Sequence, residues 1–388
     1  MRSKLFVLIL VLVALGTTIM TAQEVLQYTP DWEAMAARIV SQLDLQRGEK
    51  VLLLGLPGRF EDLVPHLRYA VMQSGGVDLG CLDVLALPIR AEWDTRVLAS
   101  AANRNQHALK QLLEDVDVVI KLPGARGPAP AYLAVQELLD EGKGRAVHFH
   151  WDGAFPVNAQ DLPSQTQIDI VYQRALLETD YEGLSAVQKR FEAAMRRAEI
   201  HVTTPQGTDL RFRIGDRPVS RGDGDVSARR AAQARTIIDL EVELPAGAVR
   251  VAPLEDTVEG TIVFPDSTWN GQPVQNLKLQ LQSGEIIGYE ANSGREAVTA
   301  ELESAGSTSR SFRGFALGFN PLLAVPERFA WLPYYGYGAG VVRLSLGANA
   351  DLGGAVEGGY IRWNFFVDAT VTIEGQTWVE DGKLVVSQ

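Results

Sequence analysis

The sequence has almost no cysteine and lacks a long hydrophobic run. Cys81 is the only cysteine among 388 residues, so no intrachain disulfide can form and the folded state depends on its core. The apolar run at residues 5–15 is much shorter than the roughly 20 residues that a membrane-spanning helix needs. These two absences predict a globular protein that is held together by packing.

An excess of basic residues is also missing. The formal net charge is -12 and the pI is about 5.0, which argues against nucleic acid or an anionic membrane surface as a partner. The hydrophobic content of 46% with 22% charged residues is typical of a folded globular chain. The length is right for two domains that each bury a core.

Common catalytic motifs are absent as well. Gly55-Leu-Pro-Gly58 follows the first predicted strand, but it matches neither the dinucleotide-binding fingerprint nor a phosphate-binding loop. No G-x-S-x-G motif of a serine hydrolase is present. The sequence therefore predicts neither a nucleotide site nor a serine nucleophile.

The N-terminus has the pattern of an export signal. Arg2 and Lys4 precede the apolar run, and Thr21-Ala22-Gln23 follows it, so residues 1–22 are predicted to be a signal peptide cleaved near Ala22. An uncleaved anchor is the alternative. Cleavage would leave no membrane span and would place the protein in the periplasm or outside the cell.

The remaining chain divides by its hydrophobic pattern. Residues 23–152 alternate short apolar runs with helical patterns, which predicts an N-terminal α/β domain of βαβ units around a parallel sheet. Residues 153–199 are predicted to be a linker and a connecting helix. Residues 200–388 carry many short β-type segments between glycine turns, which predicts a β-rich α+β domain.

Several short sequence segments, most of them in residues 200–388, resemble those of a known family and occur in the same order. They are Val202–Leu210, Leu244–Gly247, Ala252–Gly260, Gly318–Pro321 and Leu344–Gly347. In this order and approximate spacing they resemble the thermophilic metallo-aminopeptidases of the aminopeptidase T and aminopeptidase S type. The resemblance implies that family's two-domain fold, an exopeptidase activity and a homodimer.

The resemblance also implies two divalent metal ions, zinc or cobalt, held by carboxylates, histidines and a tyrosine. The chain departs from the family at every ligand position that can be placed. These positions are Ala248, Gly314, Arg343, Ala350, Arg362 and Asn364. We therefore expect no metal cofactor, although zinc or cobalt would be required if the protein is an active aminopeptidase.

The arginines at 343 and 362 suggest what replaced the metals. A guanidinium carries a fixed positive charge, and nearby acidic residues such as Glu255 and Glu259 are candidates to pair with it. One interpretation is a structural ion-pair network. The other is a pocket formed by Glu255, Glu259, Arg343 and Arg362 that binds a peptide or a small anionic ligand.

A second candidate site lies at the end of the fourth predicted strand. Alternate residues of a strand share a face, so His148, His150 and Asp152 are predicted to point the same way and could bind a metal. The alternative is a set of hydrogen-bonded polar residues at a domain junction. The aromatic stretch that contains Trp331, Tyr334, Tyr335 and Tyr337 is predicted to line a peptide groove or to pack against the core or a dimer partner.

The sequence thus predicts an exported, aminopeptidase-like protein that lacks the two-metal site and binds a peptide or another partner. Two alternatives remain. One is an active metallo-aminopeptidase whose metal lies elsewhere, for example at His148, His150 and Asp152. The other is a structural protein whose family surface serves only oligomerisation.

Overall fold

The computed structural model describes residues 28–56, 58, 60–84, 95–125, 129–151, 154–157, 163–326, 331–333 and 336–385, with backbone only at 95–103 and 154. Within these residues no helix is both long and apolar enough to cross a membrane. The predicted signal peptide, residues 1–22, lies outside the described residues.

The first part of the chain alternates helices and strands, as its apolar runs predict. The elements are α1 (Trp32–Leu43), β1 (Lys50–Gly55), α2 (Leu63–Gln73), β2 (Val77–Asp83), α3 (Thr95–Leu112), β3 (Val118–Lys121), α4 (Pro130–Asp140), β4 (Arg145–Phe149) and β5 (Ala154–Pro156). The middle of β1 and all of β3 are buried on both faces because helices cover both sides of the sheet.

The parallel sheet has the strand order β2-β1-β3-β4-β9. Its fifth strand, β9 (Glu241–Leu244), pairs in parallel with β4 and follows α8 (Ile237–Leu240). The predicted parallel sheet is confirmed, but it is not built from residues 23–152 alone. The pairing brings residues from the predicted second domain to the sheet edge at which β4 ends.

Between β5 and β9 lie α5 (Gln165–Glu178), α6 (Tyr181–Arg197), β6 (Ile200–Thr203), β7 (Asp209–Phe212), β8 (Val219–Arg221) and α7 (Ala228–Ala231). The prediction of a linker in the first part of residues 153–199 missed α5. The segment is polar overall, so its apolar face was not recognised. That face buries Ile168, Tyr172, Ala175 and Leu176, and Ser164 caps the first turn.

The C-terminal half is β-rich, as predicted. Its strands are β10 (Ala248–Val251), β11 (Glu259–Val263), β12 (Ser267–Trp269), β13 (Gln272–Val274), β14 (Lys278–Gln282), β15 (Glu285–Glu290), β16 (Phe312–Gly318), β17 (Trp331–Pro333), β18 (Val342–Gly347), β19 (Ile361–Phe366), β20 (Thr370–Ile373), β21 (Gln376–Glu380) and β22 (Lys383–Leu384). The same part of the chain also contains the helix α9 (Arg295–Ser304).

These strands form two larger antiparallel sheets. The five-stranded sheet has the order β19-β18-β16-β10-β8, and the eight-stranded sheet has the order β15-β14-β11-β7-β6-β20-β21-β22. Helix α6 packs against both sheets through Phe191, whose ring centroid lies 5.1 Å from that of Phe319 and 4.9 Å from that of Trp378. The core is therefore continuous from α6 into the antiparallel sheets.

Candidate ligand-binding cavity

A cavity of about 530 Å³ is bordered by residues of the parallel sheet and by residues of the five-stranded antiparallel sheet. A volume of this size falls in the range of small-molecule sites. Its polar lining includes Asp140, His148, His150, Glu241, Glu243, Arg250, Arg313, Tyr337, Arg343 and Asp351. The apolar lining includes Ile237, Ile238, Leu352, Ile361 and Trp363.

The parallel sheet supplies its side of the cavity from neighbouring strands. Lys121 of β3 is opposite His148 of β4, which is opposite Glu243 of β9. Glu241 and Glu243 share a side because strand residues alternate. Since ligands of open α/β sheets bind near the carboxyl ends of the strands, these polar residues occupy the expected edge.

Glu241 is the centre of a polar cluster. Its carboxylate lies 2.9 Å from Lys121 Nζ, 2.6 Å from Gln136 Nε2 and 3.0 Å from His148 Nδ1. Burial alone would raise the pKa of Glu241, but the Lys121 charge and the His148 and Gln136 side chains hold it well below its ordinary value. The carboxylate is therefore ionised and neutralised by Lys121, which is fully buried.

The two histidines lie side by side. Their ring centroids are 3.7 Å apart, and His150 Nε2 is 3.9 Å from Glu243 Oε1. Burial, with the neighbouring His148, lowers the pKa of His150 far below its ordinary value, so its imidazole is neutral at pH 7. Glu243 also lies 3.0 Å from Arg250 Nη1 and accepts a hydrogen bond from the Tyr337 hydroxyl.

The antiparallel sheet contributes a row of residues in register. Arg250 on β10 is opposite Ala316 on β16, which is opposite Arg343 on β18, so all three project from one face. An irregularity between Phe312 and Gly314 interrupts the β16 pairing at Arg313. The Arg313 guanidinium binds both carboxylate oxygens of Asp351, at 2.7 and 2.5 Å.

Arg343 differs from the other cations of this cavity. Its side chain is 8% exposed, and its guanidinium lies 5.1 Å from the ring centroid of Trp363. Within the described part of the chain it forms no ion pair, and its Nε has no hydrogen-bond partner. Burial lowers the pKa of Arg343, yet a guanidinium stays protonated in proteins. Among the described residues, the Glu243 charge acts on Arg343, but no carboxylate lies within ion-pair distance of its guanidinium.

The structure separates the two arginines that the sequence analysis grouped. Arg343 is opposite Phe365, whereas Arg362 is opposite Leu346, so the two arginines project from opposite faces of the sheet. The Arg362 guanidinium lies 2.7 Å from Glu301 Oε1 and 3.5 Å from the ring centroid of Trp269. Asn364 shares that second face and donates a hydrogen bond to the Leu344 carbonyl at 3.1 Å.

The glutamates of the predicted four-residue pocket also lie elsewhere. Glu255 pairs with Arg217 and accepts hydrogen bonds from Asn349 Nδ2 at 3.0 Å and from the Ala355 amide at 2.9 Å. Glu259 accepts a hydrogen bond from the Ser283 amide at 2.8 Å. Of the four predicted pocket residues only Arg343 lines the cavity, because strand alternation and separate loops place the other three apart.

The other former ligand positions have no metal-binding side chain to offer. Ala248 pairs with Gly318, and Gly314 pairs with Ser345, so both lie on the Arg343 face. A Cβ atom at Gly314 would come within 2.8 Å of the Val251 carbonyl oxygen, so a glutamate there would require backbone movement. Ala350 begins the short helical turn Ala350–Leu352, which carries Asp351.

The residues present do not fit a pair of divalent cations. No group of three or more His, Cys, Asp or Glu side chains within the described ranges is placed to hold a metal ion. Asp152, the third predicted ligand beside His148 and His150, lies outside those ranges. The carboxylates nearest the histidines, Glu241 and Glu243, are already paired with Lys121 and Arg250.

The family model of the thermophilic metalloproteases (M29) matches residues 178–320, which is less than half of the chain. This part of the chain is similar to the thermophilic metalloproteases. No curated protein sequence matches the chain. The family resemblance inferred from the ordered sequence segments is thus confirmed.

Two solved structures share the fold of this chain. Wild-type AmpT from Thermus thermophilus has a TM-score of 0.57 at 15% identity, covering 91% of this chain and 99% of that chain. The 2,5-dihydroxypyridine dioxygenase from Pseudomonas putida KT2440 has a TM-score of 0.60 at 15% identity, covering 92% and 97%. At this identity the two likenesses establish the fold and nothing more.

Sequence reasoning missed Glu241, Glu243, Arg250 and Arg313, which line the cavity, and Lys121, the buried partner of Glu241. The alternation of Glu241 and Glu243 beside a buried valine, and a lysine at the end of an apolar strand, were the available signals. Tyr337, from the predicted aromatic stretch, is buried and lines the cavity. Tyr334 and Tyr335 lie outside the described residues.

Proposed function

We propose that this protein is an exported, aminopeptidase-like protein that has lost the two-metal site and binds a peptide or a small anionic ligand in the cavity. The observation that supports binding most strongly is Arg343, a buried cation without a counter-ion at a former metal-ligand position. Export rests on the pattern of residues 1–22.

Electrostatics favours an anion over a metal at this place. A guanidinium cannot become a metal ligand, and its charge repels a divalent cation. The same charge, largely buried from water, attracts a carboxylate, because a charge-assisted hydrogen bond is stronger than a neutral one. The peptide or anion would therefore take the place in which the family enzymes hold their metals.

The first experiment measures metal content and hydrolysis together. The purified protein is analysed for bound zinc and cobalt, and aminoacyl substrates are assayed with and without each added metal. We expect no stoichiometric metal and no turnover. Stoichiometric metal with chelator-sensitive turnover would overturn the loss of the metal site.

The second experiment measures ligand binding by calorimetry. Short unmodified peptides and small carboxylic acids are titrated into the wild type, Arg343→Met and Arg362→Met. We expect binding to the wild type, at least a tenfold loss in Arg343→Met, and retention in Arg362→Met, whose guanidinium lies on the other face. No binding of any anion to the wild type would refute the proposed binding function.

An active aminopeptidase with a relocated metal site is the second candidate. The 3.7 Å separation of the His148 and His150 ring centroids supports it, because both imidazoles border the cavity. Divalent zinc or cobalt would be the cofactor. Metal content and turnover that disappear together in the double variant His148→Ala/His150→Ala would favour this candidate over the first.

We also propose a homodimer, on the family resemblance alone. Sedimentation equilibrium of the purified protein tests it, and a monomeric mass over the micromolar range would refute it. The same measurement bears on the third hypothesis, a purely structural role in oligomerisation, which requires assembly without ligand binding.

A further inference from the structure

The cations in and beside the cavity are paired with carboxylates except at one position. Arg250 is paired with Glu243, Arg313 with both oxygens of Asp351, and Lys121 with Glu241. Arg343 is the remaining cation, and within the described residues it has no carboxylate partner. A ligand with one negative charge would pair with Arg343. A second negative charge would meet only cations that already have a carboxylate partner, and Asp140 adds a negative charge to the cavity wall.

The surroundings of Arg343 are apolar on one side. The Trp363 ring lies beside its guanidinium, and Ile361 projects from the same face of β19. Leu352 and Ile237 also line the cavity. Trp363 and Ile361 are 40% and 45% exposed, so their apolar surface is open to a ligand. A charged group bound at Arg343 would therefore extend into hydrophobic surroundings.

We propose that the ligand is an amphipathic monocarboxylate, with its carboxylate on Arg343 and its apolar group against Trp363 and Ile361. This inference rests on the proposed binding function and narrows its ligand class. A planar carboxylate matches the two parallel N–H groups of a guanidinium, and a single charge matches the single cation of the cavity that has no ion pair among the described residues. A free apolar acid and the C-terminal end of a peptide share this chemistry.

A series of titrants tests the charge of the ligand, the geometry of its acidic group and the source of its carboxylate. The titrants are 3-phenylpropionate, its amide, phenylphosphonate, acetate, and a dipeptide ending in phenylalanine with a free or an amidated C-terminus. We expect 3-phenylpropionate to bind about 10- to 100-fold more tightly than its amide, the range for one charge-assisted hydrogen bond. Acetate should be weaker because it lacks the apolar group, and phenylphosphonate should be weaker at a pH where it carries two charges.

The peptide arms identify the source of the carboxylate. Binding of the free-ended dipeptide, with loss on amidation, assigns the site to peptide C-termini. Binding of 3-phenylpropionate but not of either dipeptide assigns it to small free acids. Equal binding of the acid and its amide, or tighter binding of the phosphonate dianion, would overturn the monocarboxylate proposal.

Variants test the two contact surfaces separately. Arg343→Lys keeps the charge but loses the fork geometry, so we expect a partial loss of 3-phenylpropionate affinity and a larger loss in Arg343→Met. Trp363→Ala should weaken 3-phenylpropionate by a few-fold to about tenfold and leave acetate unchanged, while Trp363→Phe should retain most of the affinity. An identical effect of Trp363→Ala on both ligands would contradict the assignment of the apolar side.

The outcomes distinguish this inference from the broader proposal. If small anions bind through Arg343 but show no preference for apolar monocarboxylates, the ligand class is wrong and the binding function survives. If no anion binds the wild type, the binding function itself is wrong. Thermal denaturation of each variant confirms that the comparisons are made between folded proteins.

Discussion

Arg343 and Arg362 lie on adjacent antiparallel strands but on opposite faces of the sheet. Arg343 lines the cavity without a counter-ion, whereas Arg362 pairs with Glu301 and lies over the ring of Trp269. Both occupy positions at which the family resemblance implies metal ligands. Only Arg343 is available to a ligand. We therefore expect substitution of Arg343 to affect binding and substitution of Arg362 to affect stability.

We predict that Arg343→Met leaves the free energy of unfolding unchanged or raises it. A buried charge without a partner costs desolvation energy, and an apolar side chain of similar length removes that cost. Arg362→Met should instead lower the stability by about 1–3 kcal/mol, because it removes the cation paired with the Glu301 carboxylate and leaves only the hydrogen bonds from Asn270 and Tyr360. Urea denaturation of both variants measures this, and a marked loss of stability in Arg343→Met would contradict it.

Lys121 and Glu241 should behave as a coupled buried pair. Lys121 is fully buried at 2.9 Å from Glu241, so Lys121→Met alone should cost about 3–5 kcal/mol by leaving a buried carboxylate with less compensation. Lys121→Met combined with Glu241→Gln should cost clearly less than the sum of the two single changes. A double-mutant cycle in urea gives the coupling energy, and additive effects would refute the pairing.

Glu255 should stabilise the loop around Asn349 and Ala355 in a pH-dependent manner. Burial would raise the pKa of Glu255, but its hydrogen bonds from Ala355 and Asn349 and the Arg217 charge hold it below its ordinary value of 4.5. A carboxyl with a lowered folded-state pKa stabilises above pH 4.5, and this contribution is lost as the pH falls further.

We therefore expect Glu255→Gln to cost about 1–3 kcal/mol at pH 7 and to differ less from the wild type near pH 3. The measurement is the free energy of unfolding of both proteins between pH 3 and 7. A difference that stays constant over this range would contradict the role of the ionised carboxylate. Glu259→Gln is the matched control. Glu259 is an exposed glutamate that accepts a hydrogen bond from the Ser283 amide.

Gly247 should tolerate no side chain, because the chain passes close to it. A Cβ atom there would lie 2.5 Å from the Tyr337 carbonyl oxygen and 3.0 Å from Asn320 Cβ. We expect Gly247→Ala to cost about 1–3 kcal/mol and to weaken ligand binding, since Tyr337 lines the cavity.

Gly359→Ala is the control for that substitution. A Cβ atom at Gly359 would meet nothing within 4 Å, so its effect should stay within about 0.5 kcal/mol. Thermal denaturation and the ligand titration measure both variants. Equal effects of the two substitutions would show that the close approach at Gly247 is unimportant.

Periodicity in the sequence was sufficient to predict the local elements that bury a regular face. The apolar spacing in α6 predicts a helix that buries Leu184, Val187, Phe191 and Met195, and the structure has that helix. Continuous apolar runs predict β1, β3 and β4 as buried parallel strands. The ordered sequence segments between residues 202 and 347 were enough to identify the fold and its relatives.

The sequence by itself determined the fold type and the absence of metal-ligating side chains at Ala248, Gly314, Arg343 and Arg362. Only the tertiary structure decided which of these positions meet. Successive residues of a strand point to opposite faces of the sheet. In the register of β18 and β19, Arg343 therefore points into the cavity and Arg362 points to the opposite face. Pairing of β9 with β4, over a separation of about a hundred residues, then brings Glu241 and Glu243 to the histidines. Such long-range pairing depends on the packed sheet and has no signature in local composition.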